Sequence, residues 1–130
     1  MPNDTITAHF DVTGWVPTML REPLGATTFD RVVVTKTFTG AVSGESTAEL
    51  LTAANEVGAS YVANEVFTGT IGGRTGSIVI AHGGVVAGTA SESFGAIVPG
   101  SGTADLAGCT GRVRYNRDAE GVHTVDFDFD

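Results

Sequence analysis

Short stretches rich in Val, Ile, Thr and Phe alternate with polar positions along most of the chain, and glycines separate them. A period of two between turn residues is the pattern of half-buried strands. Eight strands are expected: Ile6–Val16, Arg31–Phe38, Ser46–Ala54, Ser60–Thr70, Arg74–His82, Thr89–Val98, Gly111–Asn116 and Val122–Phe129. In the last of these, Val125, Phe127 and Phe129 alternate with Asp126, Asp128 and Asp130, which reads as an apolar face turned inwards and an acidic face to water. Between the first two strands, Pro17–Thr28 holds two prolines and no periodicity, so it is expected to be a long loop, either a lid or a plain connection.

Two signals compete over Ser46–Gly58. Ser46 with Glu49 three residues later is a capping-box pattern, and Leu50, Leu51, Ala54 and Val57 follow on a helical stripe that ends at Gly58. Against this stands an internal repeat: FTGAVSGESTAE from Phe38 resembles FTGTIGGRTGSI from Phe67. If the second copy is a hairpin, so is the first.

The second copy allows side chains to be assigned to faces. With Gly72-Gly73 as a two-residue turn, Ile71 pairs with Arg74, Phe67 with Ile78, Glu65 with Ile80 and Ala63 with His82. All of these share a face, and Glu65 and His82 become diagonal neighbours about 7–8 Å apart at the backbone. The same count about Ser43-Gly44 pairs Phe38 with Glu49 and Lys36 with Leu51. One surface then gathers Lys36, Glu49, Glu65 and His82 among Phe38, Phe67 and Ile80. Charges among large apolar groups are tolerated inside a protein when they pair or when they serve a site. The alternatives are an outer face with ordinary surface charges, or a buried network with a structural role only. A slip of one residue in either turn would scatter the group. Trp15 and Tyr61, each an apolar body with a polar handle, are further pocket candidates, with core packing as the alternative.

Totals narrow the function classes. The chain has 130 residues, suited to one domain spanning 1–130, with 15 acidic against 7 basic residues and a formal charge of −8. Such a balance lacks the footprint for nucleic acid or anionic membrane. Cys109 is the only cysteine, so no intrachain disulfide can form, and its surroundings suit a structural thiol. A cytoplasmic setting is expected. His9, His82 and His123 lack ligand spacing, so no metal or other cofactor is expected; His123 reads as structural or partly exposed. No phosphate-loop, nucleophile-elbow or dinucleotide-binding pattern occurs.

FTGTIGGRTGSIVIAHGG followed by VPGSGTADLAGCTG resembles the bacterial family called domain of unknown function 3224, with Trp15 and the Phe38-Thr39-Gly40 run fitting its earlier part. The chain departs from that pattern after Trp15, where Val16-Pro17-Thr18 stand in place of acidic residues. The resemblance implies an allene-oxide-cyclase-like, dirigent-like barrel of eight antiparallel strands, with Ser46–Ala54 as a strand, and a homo-oligomer, dimer or trimer. Barrels of this size can hold one small ligand. The expected function is therefore a cofactor-independent cyclase or isomerase of a small apolar molecule. Glu65 and His82 are its expected acid–base pair, and Lys36, Glu49, Trp15, Tyr61, Phe38 and Phe67 its expected substrate contacts. The alternatives are a carrier of a hydrophobic ligand and a structural oligomer with a filled barrel.

Overall fold

The computed structural model describes residues 5–130. Eight strands form one closed antiparallel ring in chain order: β1 (Thr5–Leu24), β2 (Thr27–Thr39), β3 (Val42–Ala54), β4 (Gly58–Ile71), β5 (Arg74–Ala87), β6 (Ala90–Ile97), β7 (Gly111–Arg117) and β8 (His123–Phe129). Closure comes from β1 pairing with β8 over Thr5–Phe10. It removes the sheet edges that an open sheet of this length would leave unpaired. A single turn of 3-10 helix, Ala104–Leu106, places Leu106 in the core.

Two sequence expectations change. Pro17–Thr28 is not a long loop: β1 runs on to Leu24 and pairs with β2 as far as Leu24 against Thr27. Its prolines are tolerated because beyond Phe10 this strand has β2 alone as a ladder partner. Ser46–Ala54 is a strand with buried Ser46, Ala48 and Leu50 on every second residue, so period two prevails over the local capping pattern. The helix propensity of this segment is worth tenths of a kcal/mol per residue, less than pairing on both sides inside a closed sheet provides.

The ring is filled unevenly. At one end Phe38, Phe67, Ile71, Ile78, Phe127 and their neighbours form a dense core around fully buried side chains. Phe38 and Phe67, the aromatics of the repeated Phe-Thr-Gly word, meet edge to face at 5.3 Å. Towards the other end a smaller cluster, Val32, Val34, Ala48, Leu50 and Ala63, coats the wall only. The space between these walls stays open.

Candidate functional site

The β4–β5 hairpin turns at Gly72-Gly73, both with positive φ (56° and 85°), as a tight two-residue connection requires. Its register matches the sequence count throughout: Ile71 faces Arg74, Glu65 faces Ile80 and Ala63 faces His82. Glu65 and His82 therefore point into the ring together, with His82 Nε2 2.9 Å from Glu65 Oε1.

The β2–β3 hairpin differs. It turns at Gly40-Ala41, so Phe38 faces Gly44 rather than Glu49, and Lys36 faces Ser46 rather than Leu51. An odd shift of five residues, Glu49 to Gly44, exchanges the faces of β3. Glu49 lies outside, exposed and paired with Arg31 at 2.9 Å; it is not part of the site. Ser46 takes the inward position instead. Lys36, on β2, keeps the predicted side and donates to Glu65 Oε1 at 2.8 Å.

Glu65 is the hub. Ser46 Oγ donates to Oε2 at 2.5 Å, while Lys36, His82 and the Tyr115 hydroxyl, at 2.9 Å, share Oε1. Burial alone would push this carboxyl up. The hydrogen bond from His82, the charge and hydrogen bond of Lys36 and the hydrogen bond from Ser46 outweigh it and hold the group at about 2. Glu65 is thus an ionised acceptor, and an acceptor only. His82 Nε2 must carry a proton to bond it. With neutral imidazole, Nδ1 then accepts from the Tyr61 hydroxyl 2.9 Å away. Tyr61–His82–Glu65 form a continuous hydrogen-bonded chain. Burial, and then the Glu65 charge, push both Tyr61 and Tyr115 above the ordinary phenol value, so both hydroxyls stay protonated.

Above this hub lies a cavity of about 580 Å3, walled by Val32, Val34, Leu50 and Val86 and reaching Lys36, Tyr61, His82 and Tyr115. Its size and apolar lining with a few convergent polar groups are those of small-molecule sites. Glu65 lies beneath this floor, fully buried, and does not line the cavity. Phe38 and Phe67 belong to the dense core and do not reach it. Trp15 does: register shifts between Val12 and Gly14, so Phe10 and Val12 before the shift and Trp15 and Pro17 after it all line the space. A bulge commonly re-aims a side chain in this way. Trp15 is nevertheless 58% exposed, at the rim.

Sequence reasoning missed three contributors. Ser46 was hidden by the wrong turn. Tyr115 stands among charged residues in RVRYNR, and only its alternation with Val113 marked it as inward-facing. His123, read as structural or partly exposed, is partly buried at the cavity wall with its ring stacked on Phe10 at 5.0 Å.

Fold and cavity together define a closed eight-stranded antiparallel barrel with a charged, hydrogen-bonded floor under an apolar pocket. Residues 6–129 match the model of a family described as protein of unknown function (DUF3224), and the chain belongs to that family. It is similar to the crystal structure of a protein with unknown function from the DUF3224 family of Shewanella oneidensis MR-1. The two share 30% sequence identity, with a TM-score of 0.90 over 98% of this chain and 96% of that one. No curated protein matches the chain. Among the described residues no helix is long and apolar enough to cross a membrane.

Proposed function

We propose that the protein is a cofactor-independent isomerase or cyclase acting on one small, mainly apolar molecule in the open half of the barrel. The observation that carries this reading is the Tyr61–His82–Glu65 chain ending in an apolar cavity. Glu65 is too strongly held as a carboxylate to act as base, and it does not face the substrate. Its role is to fix the His82 tautomer, leaving Nδ1 and the Tyr61 hydroxyl as the proton-handling pair. A proton taken from one substrate atom and returned to another needs no electron acceptor and no cofactor. Lys36, with its ammonium at the floor, polarises a substrate oxygen. Ring closure would draw on shape and exclusion of water by the apolar walls.

A carrier is the second reading. It is favoured by the bonding of the floor: among the described residues every buried side-chain polar atom has at least one partner. Such a floor can anchor a ligand without reacting.

Likeness to allene-oxide-cyclase-like and dirigent-like barrels belongs to this proposal, supported by the closed antiparallel ring and its single-ligand cavity. So does a homo-oligomer, dimer or trimer, supported by exposed Val16, Met19 and Leu24 on β1. A cytoplasmic setting is supported by the one buried free thiol, Cys109.

The test is native mass spectrometry of the freshly purified protein to identify a retained molecule, followed by NMR of that molecule with catalytic amounts of protein. The isomerase reading expects conversion, and a loss of about 100-fold in rate for Tyr61→Phe. Binding without conversion would leave the carrier.

A further inference from the structure

We propose that the cavity receives the carboxylate head of a small lipophilic acid, and that binding is coupled to uptake of one proton by His82. This rests on the reading of the cavity as a ligand site and names the chemistry of its polar end.

Lys36 Nζ has three N–H bonds, and among the described residues the only side-chain oxygen it bonds is Glu65 Oε1. Otherwise it lies over the faces of Phe10, at 4.9 Å from the centroid, and Tyr115, at 4.6 Å. Ring faces are weaker partners for an ammonium than an oxygen anion is. Glu65 Oε1 already accepts from three side chains, so this oxygen has no capacity left to satisfy the rest of the ammonium. The floor of an otherwise apolar cavity therefore offers N–H bonds that call for an acceptor from outside the protein.

Charge then selects the form of that acceptor. Lys36 and Glu65 cancel, so the floor is neutral while His82 is neutral. A carboxylate brought beside Lys36 would leave one negative charge uncompensated among apolar walls, which is costly. His82 meets Glu65 and Tyr61 on β4 and Tyr115 on β7, and Lys36 on β2 shares Glu65 Oε1 with it. Phe10 on β1 and Gly95 on β6 carry no charge, and Ser46 on β3 is bonded to Glu65. His123 on β8 and Asp30 on β2 line the same cavity. Of the groups around the hub, His82 is the one with an acceptor nitrogen, Nδ1, that can take up a proton.

Geometry provides the route. When Nδ1 of His82 is protonated it donates to the Tyr61 oxygen instead of accepting from it. The Tyr61 O–H is then released from the ring and turns to the cavity, where it can donate to the ligand. One proton from solvent ends on Nδ1, no bond of the ligand breaks, and the bound state has Lys36 and His82 positive against Glu65 and the ligand carboxylate. A neutral ligand gains nothing from this change and leaves Tyr61 bonded to His82.

The experiment is calorimetric titration of the whole protein with phenylbutanoate and with the matching phenylalkyl methyl ketone, at about pH 8, in buffers of different ionisation enthalpy. The expected result is uptake of about one proton per carboxylate bound and none for the ketone. Carboxylate affinity should fall about tenfold per pH unit above the pH at which free His82 loses its proton. The His82 ring nitrogens, followed by NMR in the wild type, should move to the imidazolium position on carboxylate binding. This assigns the proton without a variant that could fail to fold, and it separates His82 from His123. Carboxylate binding with no proton uptake, or uptake at His123 alone, overturns the inference. Ketone binding without carboxylate binding overturns it while leaving an apolar-ligand site, whereas binding of neither removes the ligand site as well.

Discussion

Tyr115 on β7 reaches across the interior of the ring to Glu65 on β4, its hydroxyl 2.9 Å from Oε1. Fifty residues separate the two in sequence. The bond joins two strands that share no ladder, so the hub ties opposite walls of the barrel together as well as forming the cavity floor.

Glu65→Gln removes the charge that Lys36 faces in a buried setting. Breaking a buried ion pair from one side costs about 3–5 kcal/mol, because the remaining charge is left uncompensated. Urea unfolding should register a loss of that order. The double variant Glu65→Gln/Lys36→Met should recover most of it, since neither charge then remains.

Glu65 also ties stability to pH. Its folded value, about 2, lies below its ordinary value of 4.5, so its contribution is complete above about pH 4.5 and is lost as pH falls through about 2. A shift of this size corresponds to roughly 3 kcal/mol. The difference in unfolding free energy between wild type and Glu65→Gln should shrink by about that amount over this window. A difference that is constant with pH would refute the ionised hub.

His82 should sense the loss of the Glu65 charge. In Glu65→Gln the partner of His82 Nε2 is no longer an anion, so the His82 titration followed by NMR should change. Asp126→Asn, whose carboxylate bonds Thr7 on the outer surface, should leave it untouched.

The same residues show what could be read from the sequence. Gly72-Gly73 permits little but a tight turn, and everything counted from it, including the inward Glu65–His82 pair, holds. The β2–β3 turn was harder. Gly40, with φ of 95°, makes it, but Ser43-Gly44 offered an equal local signal. Gly44 serves another purpose: a Cβ there would lie 2.3 Å from the Thr68 carbonyl oxygen and 2.8 Å from Gly69 Cα. The repeated Phe-Thr-Gly word thus stands at different distances from its two turns, although both phenylalanines point inwards. Tyr115 and the length of β1 depend on pairing across the ring, which no local window contains.

Gly69 is the partner in that close approach, and a Cβ on it would meet the Ser43 carbonyl oxygen at 2.1 Å. Gly69→Ala should cost about 1–3 kcal/mol by thermal or urea unfolding, because two paired backbones would have to move apart.

The proposed ligand site is the floor formed by Lys36, Tyr61, His82 and Tyr115. The most direct measurement is an NMR titration of the labelled protein with a small lipophilic probe such as phenylbutanoate. Shifts should concentrate on those four residues and on the walls Val32, Val34 and Leu50, with none at Glu49 or Arg31 outside the barrel. Shifts confined to the outer face, with the four floor residues unmoved, would contradict it.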